Sequence, residues 1–484
     1  MLKTALTRLA KGSLVYGIGG ILKRFMGLLL LPFFTSELTT EDYGVVGLVS
    51  LVGIAMSGLL TLGTGNSMGL LYFKEKELEK RPAIIWTNFF LIVINGSFWF
   101  IVLYLLAPAL SRLMFQSELH SNLIRLSFLG SVLTAVADPL LAYLRMEEKA
   151  KEYVALTLFS SLLTIVLSIY LVLWMEIGVM GLILSVTIGS AFSLVVIALT
   201  VGRRVPFGIT PKLFAPLIRI GLPSIFGLFA FLLIDYADRQ MIERMIGLSK
   251  LGIYSVGYSF GMVMTIAMGA FATAWPPFFM SYVDKREQAG TIFARVLTYY
   301  VLGFGSLIVI IFFFAKPVTV LLTATAFHEA WVVVGLVAAA YALKGCYLIL
   351  LPGIYIAEKL VYQSMIEWIA AIVNIGLNLW LIPLLGMLGA AIATFISYLS
   401  LPILAWFISK KYLKVDYEWS RLAFVSTLVT LTCFALYQIS KYFSSEIFKI
   451  ILYGSIVCSI YSAITFMLFL KIEERQFILK KIGL

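Results

Sequence analysis

Long apolar runs separated by short charged turns dominate the chain. A helix needs about 20 residues to cross the hydrocarbon core of a bilayer. On that measure the pattern predicts fourteen spans, near residues 12–35, 44–71, 84–107, 122–144, 153–174, 178–201, 213–235, 251–274, 291–315, 331–351, 361–382, 387–409, 421–440 and 448–470. The shortest turns between them lie near Glu176 and Pro383. No connection exceeds about twenty residues, so there is no room for a soluble catalytic domain.

The pattern also repeats. Displacing the chain by 208 residues lays Leu38-Thr-Thr-Glu-Asp-Tyr-Gly44 on Ile246-Gly-Leu-Ser-Lys-Leu-Gly252, Gly178-Val-Met-Gly181 on Gly386-Met-Leu-Gly389, and His120 on His328. Spans three to six fall on spans nine to twelve with the same offset. Six helices per repeat is an even number, so both halves share one orientation and their pseudo-twofold axis runs along the membrane normal. The predicted fold is therefore an all-α integral membrane protein of 14 transmembrane helices. Two six-helix lobes, 1–205 and 206–412, are followed by two further helices and a cytoplasmic tail in 413–484.

Composition agrees with this reading. Of 484 residues, 61% are hydrophobic and 13% charged, against about 45–50% and about 25% in soluble domains. The net charge of +12 sits in short loops between apolar runs, which orients helices and gives no groove-binding face for nucleic acid. One alternating set of loops, with both termini, carries 23 Lys and Arg, and the opposite set carries seven. The positive-inside rule then places both termini in the cytoplasm. Lys3, Arg8 and Lys11 precede the first apolar run as in a secretory signal, but no small-residue cleavage site follows, so an uncleaved helix is expected. Cys346, Cys433 and Cys458 lie inside apolar segments as buried thiols. No P-loop and no clustered catalytic groups occur in the sequence, and the chain is expected to be no enzyme and to need no cofactor.

Charge within the spans marks the candidate site. Lys23 and Arg24 stand in the middle of the first span, among Gly17, Gly19, Gly20 and Gly27 and one to two turns from Tyr16. Each cation costs roughly 2.5–3.5 kcal/mol at a helix centre, so such residues face a wet cavity or a partner. Snorkelling to the interface is the alternative, but Lys23 is about 16 Å into its span. Lys344 lies thirteen residues into span ten, with Tyr341 and Tyr347 one turn to either side. A cation between two aromatic hydroxyls suits a sugar-pyrophosphate; the alternative is an ion pair with an acid on another helix, Asp138 being the candidate. Asp235, Asp238 and Arg239 end span seven, where a solvated helix end is the plain reading. Glu367 lies one to two turns into span eleven, as a proton-coupling carboxyl or an interfacial acid. Neither histidine is assigned a role.

The architecture resembles the multidrug/oligosaccharidyl-lipid/polysaccharide exporter superfamily, and within it the Wzx-type polysaccharide flippases. The resemblance covers essentially the whole chain. It rests on the opening GGILKRFMGLLLLPFFTSELTTEDYGVVGL and on IGLPSIFGLFAFLLIDYADRQMIERMIGLSKLGIYSVGYSF at the start of the second half, with glycine-tyrosine turns at Tyr43-Gly44 and Gly252-Ile-Tyr254. It implies two lobes in a V around a central cavity, alternating access, and an undecaprenyl-pyrophosphate-linked oligosaccharide of the O-antigen or capsule type carried to the outer leaflet. In a bacterial cytoplasmic (inner) membrane, Lys23, Arg24 and Lys344 would hold the pyrophosphate, and the Asp-Arg step at Asp238-Arg239 would form a gate between the lobes. The membrane potential, or proton or sodium counter-transport, would drive the cycle. The expected partners are the lipid-linked oligosaccharide, membrane lipids, a glycan polymerase and glycosyltransferases, around a monomer. The rivals are a lipid II flippase and a cation-coupled multidrug antiporter of the same fold; the second should carry acids, not Lys-Arg, in its first helices. A glycan polymerase would need a long periplasmic loop.

Overall fold

The computed structural model describes residues 30–469 apart from 148, 281, 283–285, 358, 360, 444 and 445. Among these, regular structure is helical and no strand occurs. Eleven helical stretches are long and apolar enough to cross a membrane, and twelve are if one pair bent by 47° counts as a single span. The first predicted span lies largely outside the described residues; its end is α1 (Leu31–Glu37). By packing, the chain divides into two compact units that meet between Ser255 and Val256.

In the first unit α2 (Thr40–Thr61) starts four residues before its predicted span. The acidic turn after α1 is a capping box. Thr39 Oγ1 accepts from the Asp42 amide at 3.1 Å, and the Asp42 carboxylate accepts from the Thr39 amide at 2.9 Å, which satisfies two donors a helix start leaves open. The predicted 44–71 span is not continuous. Leu62 and Gly63 both adopt positive φ, 51° and 63°, and separate α2 from α3 (Thr64–Lys74). Then come α4 (Arg81–Phe115), α5 (Ser121–Met146), α6 (Ala150–Ile169, prolonged by a π turn to Trp174) and α7 (Gly178–Thr200). At 35 residues α4 is about 52 Å long, more than a bilayer core requires. The long α8 (Phe214–Ile246) packs on α2, α3 and α4. Its Gly221 lies against the carbonyl of Leu62, where a side chain would collide with the break. Met68, Ile85, Leu140, Val201 and Leu217 join α3, α4, α5, α7 and α8 in one core.

The second unit takes in the end of α9 (Leu248–Gly261), followed across the bend by α10 (Met264–Met280), α11 (Arg286–Leu322), α12 (Trp331–Leu350), the short α13 (Pro352–Ile356), α14 (Val361–Leu385) and α15 (Met387–Ser409). At its heart α12 packs on α15, which α14 also flanks. Alanines let these helices close on each other: Ala338, Ala340, Ala390, Ala391 and Ala393 have no exposed surface. The last two helices, α16 (Trp419–Tyr442) and α17 (Ile447–Ile464), pack on α11 through Val309, Val425, Leu436 and Tyr461.

The 208-residue offset returns in the helix boundaries. The start of α2 maps to that of α9 without remainder (40 + 208 = 248). The ends of α4 and α11, of α5 and α12–α13, of α6 with its π turn and α14, and of α7 and α15 agree within three residues. The repeated glycine pairs show why. Gly178 and Gly386 both take positive φ, 61° and 59°, and turn the chain into α7 and α15. Gly181 and Gly389 then let each helix lie against a carbonyl of the preceding one, Leu171 and Leu381. Only the break departs from the offset: residues 62–63 would map to 270–271, yet the second bend falls at 262–263.

Candidate functional site

Lys23, Arg24 and Tyr16 lie outside the described residues. The other expected groups fall into separate clusters, the larger of them in the second unit.

Lys344 stands half-buried on α12. Its two tyrosine neighbours are buried between helices. Tyr341 is 4% and Tyr347 1% exposed, because the small residues of α12 and α15 draw the helices together around them. The Tyr341 and Tyr258 hydroxyls share a hydrogen bond at 3.1 Å, and the Tyr398 ring lies 5.6 Å from that of Tyr341. Tyr347 donates to the carboxylate of Glu367 on α14 at 3.0 Å, and Gln363 donates to the same oxygen at 3.0 Å. Glu367 is therefore a buried, doubly hydrogen-bonded acid, 3% exposed. The Lys344 ammonium lies within electrostatic reach of it. The stripe is an anchoring frame: aromatic hydroxyls fix neighbouring helices, and Lys344 carries the charge.

Asp138 in the first unit is engaged by Arg145, seven residues on along α5, at 3.3 Å. Both side chains of that pair are partly exposed. The group at the end of span seven is corrected. Helix α8 continues eleven residues past Asp235, to Ile246. Asp238 is fully buried and Arg239 8% exposed, so this is no solvated helix end. The Tyr254 hydroxyl donates to the Asp238 carboxylate, and the Arg239 guanidinium stands 4.7 Å over the Tyr236 ring. The tyrosine of the Gly252-Ile-Tyr254 turn thus ties α9 to α8.

Two residues escaped the sequence reading. Asn374 and Asn378 are fully buried on α14, seven and eleven residues after Glu367 and so on one face of the helix. The Asn378 amide donates to Asn374 at 2.9 Å, leaving the Asn374 nitrogen and the Asn378 oxygen without a hydrogen-bond partner among the described residues. Thr394 and Ser397 of α15 are buried too. The signal was there as polar positions at helical spacing inside an apolar run, but neutral amides draw less attention than charges.

The fold is a helical bundle built from two repeats, with ionisable and amide groups buried between helices. Solved structures agree on the fold. An inward-facing multidrug resistance MATE family transporter of the MOP superfamily matches with a TM-score of 0.68 at 14% identity, covering 87% of this chain and 99% of that one. The lipid II flippase MurJ in an inward closed conformation matches with a TM-score of 0.68 at 15% identity, covering 94% and 99%. A variant of the Vibrio cholerae MATE transporter VcmN matches with a TM-score of 0.61 at 16% identity, covering 84% and 97%. No curated protein matches the sequence. Residues 9–283 match the family described as polysaccharide biosynthesis protein, and the chain belongs to that family.

Proposed function

We propose that this protein is a flippase that moves an undecaprenyl-pyrophosphate-linked oligosaccharide, an O-antigen- or capsule-type unit, from the cytoplasmic to the outer leaflet. The observation that carries the reading is the family match over residues 9–283, which includes the Lys23-Arg24 pair. The fold alone does not choose among cargoes, since a multidrug transporter and a lipid II flippase share it equally. The sign of the charge that the sequence places in its first apolar run separates them: two cations there suit an anionic cargo, and an organic cation would be repelled.

In the proposed cycle the pyrophosphate is taken from the cytoplasmic side by Lys23, Arg24 and Lys344 while the lipid tail stays in the bilayer. An inside-negative potential assists outward passage of the anion by about 2.3 kcal/mol per charge per 100 mV, less if protein cations move with it. Glu367 supplies a carboxyl through which a proton or sodium ion could be exchanged in return.

The test replaces Lys23, Arg24 and Lys344 singly with Ala in a host whose surface glycan depends on this protein. Full-length glycan should fall at least about tenfold per variant at equal protein level, the effect of losing roughly 1.4 kcal/mol of charge-assisted binding. Full restoration by all three variants would remove the cationic-site reading.

A further inference from the structure

A second site, outside the groups above, lies in the second unit where the start of α11 meets the connection from α15 to α16. It is a cleft of about 530 Å³ lined by Gly290, Arg295, Tyr412, Lys414, Asp416 and Glu418, among others. That volume is within the range of sites that hold small molecules. We propose that it holds the headgroup of a phospholipid carrying a primary ammonium.

Depth is the first reason. Arg295 is six residues into the apolar stretch Ala289–Leu322, about 9 Å from its start, which is headgroup level. Aromatic rings mark the same level: Trp419 lies 5.0 Å from Trp406 and 5.6 Å from Tyr417, and Trp419 and Phe407 are about half exposed, at 49% and 48%. Trp and Tyr collect where a membrane meets water. The connection also carries Lys410, Lys411 and Lys414, from the loop set that sequence asymmetry assigns to the cytoplasm.

Charge is the second reason. Arg295 and Lys414 offer two cations to a phosphodiester. Glu418 is held by Arg421 at 3.0 Å, and Arg421 is itself anchored on the Phe469 carbonyl at 3.0 Å, so the Glu418 charge is balanced within the protein. Asp416 remains as an exposed carboxylate on the cleft. A primary ammonium donates up to three hydrogen bonds to such a group. A quaternary ammonium donates none, and an uncharged glycerol headgroup brings Asp416 no positive charge. Gly290 keeps the cleft's shape: a side chain there would come within 3.1 Å of the Lys414 carbonyl and push the connection away.

The experiment uses the full-length protein purified in detergent, offered phosphatidylethanolamine, phosphatidylcholine, phosphatidylglycerol or inorganic phosphate. Retained lipid is read by native mass spectrometry and stability by thermal unfolding. Wild type should retain phosphatidylethanolamine over the other two lipids. Asp416→Asn should reduce that preference about two- to fivefold, the size of one partly exposed ion pair, without changing retention of phosphatidylcholine. Arg295→Ala combined with Lys414→Ala should weaken all three lipids. Equal retention of the three lipids by wild type overturns the proposal, and this comparison needs no variant to fold. An unchanged preference in Asp416→Asn overturns it as well. Stabilisation by inorganic phosphate equal to that by phosphatidylethanolamine would replace the lipid with a soluble phosphate ester.

Discussion

At the scale of single residues, buried polar groups separate into those that hold helices together and those with capacity to spare. Glu367 belongs to the first kind, because Tyr347 and Gln363 both donate to it. Glu367→Gln keeps an acceptor for both and should melt close to wild type. Glu367→Leu leaves the buried Tyr347 hydroxyl and the half-buried Gln363 amide without this acceptor, and should cost about 1–3 kcal/mol for the hydroxyl and less for the amide, read as a lowered unfolding midpoint in detergent. If the carboxyl also couples transport to an ion, Glu367→Gln loses glycan export while keeping its melting temperature, a split that a purely structural role would not produce. The sequence could place Glu367 on its helix but not tell its surroundings. Hydropathy sees one acid near a span end, whereas the Tyr347 hydroxyl reaches it from another helix, which only the fold shows. Asp238 misled in the same way: the drop in hydropathy after Ile234 looked like a helix end, yet the following Asp-Tyr-Ala-Asp-Arg-Gln-Met-Ile-Glu-Arg-Met-Ile run stays helical to Ile246.

At the scale of elements, glycine decides where helices may touch. A side chain at Gly252 would collide with the Thr40 carbonyl, whereas one at Gly376 would meet nothing within 4 Å. Gly252→Val should therefore destabilise by about 1–3 kcal/mol or more, as overpacking does, and lower the amount of protein in the membrane. Gly376→Ala should be neutral or stabilising by about 0.5–1 kcal/mol through backbone entropy alone. Comparing the melting midpoints of the two variants checks both. Elements were legible wherever a span was uniformly apolar: the spans predicted near 178–201, 387–409 and 421–440 agree with α7, α15 and α16 to within three residues. The breaks at 62–63 and 262–263 were not legible, because Leu-Gly and Met-Val steps inside apolar runs leave hydropathy unchanged. What breaks the first is local backbone geometry, two successive residues at positive φ beneath α8.

At the scale of the whole molecule, the uneven loop charges predict a topology that fusions can check. A reporter active only outside the cytoplasm should be silent at the C-terminus and active when fused after Gln116, in the turn between α4 and α5; the reverse pattern would invert the orientation. The internal repeat was the whole-molecule feature most fully legible, because its glycine pairs are fixed by turn geometry. It also has a contact of its own. Gly44 lies against the backbone of Leu248, and Gly252 against that of Thr40; 44 maps to 252 and 40 to 248 under the same displacement, while Thr40 and Ser249 join hydroxyls at 2.7 Å. Each glycine is thus accommodated by the counterpart of its own neighbour. Substitutions at 44 and 252 should then interact, with a double-mutant coupling of about 0.5–3 kcal/mol in place of additivity. In heredity the two codons, though 208 apart, would drift as one locus: a change tolerated at one alters what the other can accept.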